Sequence, residues 1–187
     1  IAAVLEDARD CGLSTVFPYA NTSGGRAYYP SQYLRPAGTE DGDTLGLIAR
    51  EAQARGLGVI PAMCVLVSGH DTPEGILETH PDWALRTPSG EPMGWISPAH
   101  AEARAWVAAM VQELVARVRP GGVLLDYLRY PNEDVLLDPA SAAAFDAAAP
   151  AGETEAARKA VSYTHLRAHE TVLDLVCRLL LEKKKNK

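Results

Sequence analysis

Helical and extended sequence patterns alternate along the first 130 residues, and this order limits the chain to few folds. Apolar residues recur with helical spacing in three segments, residues 1–11, 43–55 and 97–119. A β-branched or apolar run of strand type follows each helix, at residues 13–19, 58–67 and 123–126. The long loops come only after the strands. This order favours a parallel sheet whose strands are joined by crossover helices.

Local signals predict where the helices begin and end. Gly12 suits the position just after the first helix, and Asp43 suits the N-cap of the second. Ser97 is predicted as the N-cap of the third helix, with Pro98 in its first turn.

A (β/α)8 barrel fits this order better than a doubly wound sheet, because no glycine-rich phosphate loop follows any strand. Right-handed crossovers would place the carboxyl ends of all the strands on one side. The polar residues after each strand would then share one rim. Three strands are fewer than the eight of the closed fold, so the sequence predicts an α/β chain that forms part of a TIM barrel.

The strand that ends at Asp126 carries the strongest site signal. An apolar run from Val123 leads directly into Asp126, Tyr127, Arg129 and Tyr130. A buried strand that delivers polar groups at its carboxyl end is how an α/β barrel builds an active site. The alternative interpretation is that Asp126 is a helix N-cap with a structural Arg partner.

Further candidates come from the other predicted strand ends and loops. Flat aromatic faces suited to sugar rings, together with two polar side chains, suggest a substrate-binding set formed by Tyr19, Asn21, His80, Trp83 and Trp95. His70 could bind substrate as well. The alternatives are core packing for the tryptophans and a turn or cap role for the histidines. The loop over residues 22–42 has no periodicity and contains one cation and three aromatic rings, Arg26, Tyr28, Tyr29 and Tyr33. This loop either has a function or packs on itself.

Composition excludes several classes of partner. The formal net charge of -6 argues against nucleic acid, and no apolar run approaches the roughly 20 residues of a membrane span. The cysteines lack metal or redox spacing, and Cys11 and Cys64 are predicted as core residues. We predict no metal and no cofactor; the sequence does not indicate the oligomeric state.

Four motifs carry a resemblance to a known family. They are residues 43–56, the tetrad His80-Pro-Asp-Trp83, the turn Trp95-Ile-Ser-Pro98 and the signature Leu125-Asp-Tyr-Leu-Arg-Tyr-Pro131. In this order they resemble the bacterial glycosyl-hydrolase-like family 10 proteins, over about residues 1–131. The resemblance implies a (β/α)8 barrel that acts on glycans, with peptidoglycan-type strands as the leading substrate. It also implies that about strands two to four, with their helices, are present here.

A glycosidase needs paired carboxyl groups, and Asp126 is predicted as one of them. Arg129 would either keep Asp126 ionised or hold a substrate carboxylate; the second carboxyl is not evident. A partial barrel is expected to be inactive alone, and the family weakly favours an extracytoplasmic or cell-envelope location. Two alternatives remain: a metal-dependent hydrolase barrel with His70, His80 and Asp126 as ligands, and a carbohydrate-binding barrel without catalysis.

The C-terminal part of the chain differs in composition from the rest. Lysine occurs once before residue 161, at Lys159, and four times in the last five positions. Residues 161–171 and 175–185 resemble the two ends of a translated sequencing adapter, although an amphipathic helix with a basic end would have a similar composition. We therefore divide the chain into a partial glycosyl-hydrolase-like barrel at 1–131, an Ala-, Pro- and Asp-rich segment at 132–160, and a non-native tail at 161–187.

Overall fold

The fold is given by a computed structural model, which describes residues 1–131 and 139–148. The helices are α1 Ala2–Asp10, α2 Thr44–Ala54, α3 Ala101–Val118 and α4 Pro139–Ala148. The strands are β1 Thr15–Val16, β2 Arg26–Ala27, β3 Arg35–Pro36, β4 Gly58–Val59, β5 Ala62–Cys64, β6 Val67–His70, β7 Ala84–Arg86, β8 Pro92–Ile96 and β9 Leu124–Asp126. The predictions for residues 161–187 and for most of 132–160 lie outside the described residues.

The first two helices form where the sequence predicted them. The Oδ1 atom of Asp43 accepts a hydrogen bond of 3.1 Å from the Gly46 amide and caps α2. Gly12 follows α1 with φ of +80°, a left-handed conformation that glycine adopts without a steric penalty.

The third helix begins at Ala101, so the prediction of an N-cap at Ser97 is wrong. The guanidinium of Arg104 donates to the carbonyls of Pro98 and Ala99, at 2.7 and 2.8 Å. A helix that started at Pro98 would use these carbonyls for its own first turn. The Ser97 hydroxyl still accepts a bond of 3.3 Å from the Ala99 amide and stabilises the approach to the helix.

The three predicted strands lie side by side, parallel and in chain order. β1 pairs with β4, a further parallel bridge joins Tyr19 to Ala62, and β5 pairs with β9. The middle segment, residues 58–64, therefore has residues 15–19 on one side and β9 on the other. This confirms the predicted alternation of helices and parallel strands. The described strands form short ladders and do not close into a barrel.

Residues 67–96 fold differently from the loop that the sequence predicted after residue 67. They contain an antiparallel sheet in the order β6-β8-β7, with single turns of 3-10 helix at Gly75–Glu78 and Pro81–Trp83. The loop over residues 22–42 also carries a short parallel pair, β2 and β3. These strands have two to five residues each, too few to produce a clear sequence period.

The main core lies where the middle strand meets α2, α3 and the loop after β1. Its fully buried members include Leu45, Met63, Met110 and Leu114. Tyr29 is 1% exposed in this cluster, so this part of the 22–42 loop packs as core.

A second contact holds the 22–42 loop to α3. The Glu113 carboxylate accepts bonds from the Ser31 hydroxyl and the Gln32 amide, at 2.5 and 2.7 Å. These contacts support the interpretation that this loop packs against the body of the protein, although Tyr33 remains 39% exposed.

Two further sequence predictions have different outcomes. Cys64 is buried, as predicted, whereas Cys11 follows α1 and is exposed, so its prediction as a core residue is wrong. Within the described ranges, no helix combines the length and the apolar character needed to cross a membrane.

Candidate functional site

Asp126 is the last residue of β9 and lies at the carboxyl end of the three parallel strands. Its Oδ2 atom accepts a hydrogen bond of 2.9 Å from the hydroxyl of Tyr19, which ends the strand segment on the far side of the middle strand. Its Oδ1 atom accepts a bond of 2.8 Å from the Tyr127 amide. The Tyr19 side chain is about half exposed, so the pair is open to solvent.

Both contacts of the Asp126 side chain come from donors. An ionised carboxylate only accepts hydrogen bonds, and both oxygens of Asp126 act as acceptors here. The effect on the partner is also clear: the hydrogen bond to Asp126, reinforced by the charge of that carboxylate, raises the pKa of the Tyr19 phenol. Tyr19 therefore stays protonated near neutral pH and continues to donate.

An aromatic cluster lies directly after the Asp126 strand. The Tyr127 ring lies 5.4 Å from the His70 ring and 5.6 Å from the Trp95 ring, measured between centroids. The Arg129 guanidinium lies 5.7 Å from the Trp95 and Tyr127 centroids, within cation-π range. We call His70, Trp95, Tyr127 and Arg129 the aromatic cluster.

Arg129 has no ion pair with Asp126. Among the described residues, its guanidinium has one hydrogen bond, a long one of 3.5 Å to the Pro131 carbonyl, and it contacts no carboxylate. The alternative interpretation, in which Arg129 is the structural partner of Asp126, is therefore not what the structure shows. The cation remains exposed and available to a ligand.

Asn21 has a structural role that differs from the substrate contact predicted for it. It is 2% exposed, and both polar atoms of its side chain bond to the backbone of Cys64. Its Nδ2 donates to the Cys64 carbonyl at 3.0 Å, and its Oδ1 accepts from the Cys64 amide at 2.9 Å. The side chain extends the ladder between the first two strand segments beyond the Tyr19–Ala62 bridge.

The two predicted tryptophan platforms are also buried. Trp83 is 4% exposed in the main core, and His80 stacks on its ring at 4.1 Å with an interplanar angle of 13°. Trp95 is 5% exposed and contributes to the aromatic cluster. Neither ring presents an open face, because β7 and β8 direct the aromatic residues of this segment inwards. Tyr130 is partly buried and packs in the same cluster as Trp95.

From the sequence, His70 was considered as a substrate contact, a metal ligand or a turn residue, and the structure places its ring beside Tyr127. The described residues contain no group of three or more His, Cys, Asp or Glu side chains that could hold a metal ion. His70 contacts the aromatic cluster, whereas His80 contacts Trp83. The signal that identified His70 is its position in a polar Ser-Gly-His-Asp stretch directly after a predicted strand.

No protein-family model and no curated protein sequence matches this chain. Two solved structures have a similar fold. The α-L-fucosidase isoenzyme 2 from Paenibacillus thiaminolyticus is 17% identical with a TM-score of 0.65, over 92% of this chain and 27% of that one. A hypothetical protein from Ruminiclostridium thermocellum is 15% identical with a TM-score of 0.56, over 89% of this chain and 83% of that one.

These likenesses concern the fold alone. The chain spans about a quarter of the length of the fucosidase that it resembles. The fold is therefore similar to part of that fucosidase, and the comparisons do not single out the family 10 group whose motifs the sequence resembles.

Proposed function

We propose that the Asp126 site belongs to a glycoside hydrolase that acts on a polysaccharide or a peptidoglycan-type glycan. The observation that carries this proposal is the partly exposed carboxylate at a parallel strand end, held by the Tyr19 hydroxyl and the Tyr127 amide. The likeness of the fold to part of a fucosidase and the family 10 motifs support the same reaction class. Active sites of α/β barrels lie at this end of their strands.

Asp126 acts in this proposal as the nucleophile or the general base. Glycoside hydrolysis uses one protonated and one ionised carboxyl group on either side of the scissile bond. Both oxygens of Asp126 accept hydrogen bonds, an arrangement that suits the ionised member of the pair. The acid partner is a second carboxyl group, which in glycosidases lies about 5–9.5 Å from the first.

Groups beside Asp126 offer contacts for a sugar. The Tyr127 ring follows it in the chain and is partly accessible, whereas the predicted contact Tyr130 packs with Trp95 and its phenol oxygen is buried. The Arg129 cation, which has no carboxylate partner among the described residues, suits a glycan that bears acidic groups. Trp95 packs against Tyr127 and Arg129 and is buried, so its own ring is not available to stack on a sugar.

The test is to replace Asp126 by Asn in the full-length protein and to measure reducing ends released from peptidoglycan glycan strands and from soluble polysaccharides. We expect D126N to lower turnover by about 10²–10⁴-fold, as for loss of an acid–base group. The matched control is D7N, which makes the same substitution at an exposed position of α1. Turnover by D126N at the wild-type rate would refute the assignment. Glycan binding without any turnover by the wild type would favour the non-catalytic, carbohydrate-binding alternative.

A further inference from the structure

The backbone around His70 is forced into an unusual conformation. His70 has φ of +61°, a left-handed value that is uncommon for residues other than glycine, asparagine and aspartate. It ends β6 at a register shift between Val67 and His70, where it pairs with Gly94 of β8. Such bulges occur often next to active sites, where they redirect a side chain.

Two glycines hold this turn in place by direct backbone contact. A Cβ atom on Gly94 would lie 2.5 Å from the His70 amide nitrogen and 2.6 Å from the Thr72 carbonyl oxygen. A Cβ atom on Gly69 would lie 1.9 Å from the same Thr72 oxygen. No side chain fits at either position, so the turn packs tightly against β8 and the direction of His70 is fixed.

The fixed direction brings His70 to the Asp126 site. Its ring meets the Tyr127 ring edge-on at 5.4 Å, and Tyr127 is itself in the left-handed region with φ of 57°. Two residues with unfavourable backbone conformations therefore meet directly beside the carboxylate. Unfavourable conformations of this kind persist at functional sites, where the surrounding structure holds them in place.

We propose that His70 is a substrate-binding residue of the Asp126 site, whose imidazole hydrogen-bonds hydroxyl groups of the sugar that lies against Tyr127. This inference rests on the proposed function. A neutral imidazole has one donor and one acceptor, which matches the hydroxyl groups of a sugar ring. The side chain is partly exposed, and the ring is kept in one orientation by Trp95 and Tyr127.

The test compares binding and stability in three variants of the full-length protein. H70G removes both the imidazole and the unfavourable backbone conformation, whereas H70N keeps a polar side chain that tolerates this conformation. R119G is the control, because Arg119 has φ of 51° at the exposed end of α3, away from the aromatic cluster. The dissociation constant for peptidoglycan glycan strands is measured by calorimetry, and Tm by scanning calorimetry.

We expect H70G to bind the strands at least about tenfold more weakly and H70N to lie between it and the wild type, since one lost hydrogen bond corresponds to roughly this factor. H70G and R119G should both have a Tm equal to or above that of the wild type. Glycine adopts the left-handed conformation without a steric penalty, and we expect this to raise Tm by up to about 2–4 °C. R119G should bind like the wild type.

Unchanged affinity in both His70 variants would overturn the inference while leaving the role of Asp126 intact. A large fall in Tm for H70G would also overturn it, by showing that His70 serves packing. If the wild-type protein neither binds nor cleaves the glycan strands, the proposed function and this inference both fail. If D126N keeps its turnover while H70G binds the strands more weakly, only the catalytic assignment of Asp126 fails.

Discussion

Replacing Asn21 by alanine is expected to lower the free energy of unfolding by roughly 2–6 kcal/mol. The side chain is 2% exposed and makes two hydrogen bonds, of 3.0 and 2.9 Å, to the carbonyl and the amide of Cys64. Alanine would leave both backbone groups buried without their partner, and each orphaned group costs about 1–3 kcal/mol. A residue that contacted substrate would instead lower affinity and leave stability almost unchanged.

The measurement is equilibrium unfolding in urea, monitored by circular dichroism, with the free energy extrapolated to water. T22A is the control, because Thr22 accepts an exposed bond of 3.2 Å from the Arg26 amide and its loss should cost under about 1 kcal/mol. N21D tests the donor separately, since aspartate keeps the shape but cannot donate to the Cys64 carbonyl. A loss for N21A no larger than that for T22A, together with weakened glycan binding, would refute the structural role.

Two further predictions concern groups around Asp126. Tyr19 should titrate above the usual range of tyrosine because its hydroxyl donates to Asp126 and feels the charge of that carboxylate, so D126N should bring the pKa of Tyr19 down in an ultraviolet absorbance titration. Because folding raises the pKa of Tyr19, the contact stabilises the folded protein below the unfolded pKa of about 10, and this stabilisation is lost as the pH rises through the folded pKa. Equal titration curves for the wild type and D126N would contradict the contact. Burial, with a smaller effect from the Asp126 charge, raises the pKa of the Cys64 thiol to about 11, so iodoacetamide should label exposed Cys11 quickly and Cys64 only on unfolding. Mass mapping of the labelled peptides checks this, and rapid labelling of native Cys64 would count against the structure.

Local signals in the sequence predicted the elements that position Asp126. The Asp43 cap, the glycine after α1 and the apolar run that ends at Asp126 each depend on neighbouring residues only, and all three appear in the structure. The parallel order of the strands followed from the alternation of elements. The sequence predicted that Tyr19 and Asp126 lie on the same rim of the sheet, but not that they are hydrogen-bonded.

Other features depend on contacts between distant residues and could not be predicted in this way. Trp83 and Trp95 were predicted as sugar platforms because their rings offer flat faces, but both are buried, Trp83 in the main core and Trp95 beside Cys64 and Leu85. The sequence shows Asn21 only as a polar residue at a strand end. The structure shows that both polar atoms of the Asn21 side chain are hydrogen-bonded to the backbone of Cys64 in the adjacent strand segment. The start of α3 is displaced by Arg104, whose side chain occupies carbonyls of the preceding turn.

The hydrogen bond between Tyr19 and Asp126 joins positions that are 107 residues apart in the chain. Contacts of this sequence separation form late, because the loop they close has to lose its conformational entropy first. The two strand segments that carry them are also separated by the middle strand, so all three must be in register before the phenol reaches the carboxylate. We therefore expect the environment of Tyr19 to report the alignment of all three strand segments, since its hydroxyl reaches Asp126 only when both outer segments are in place.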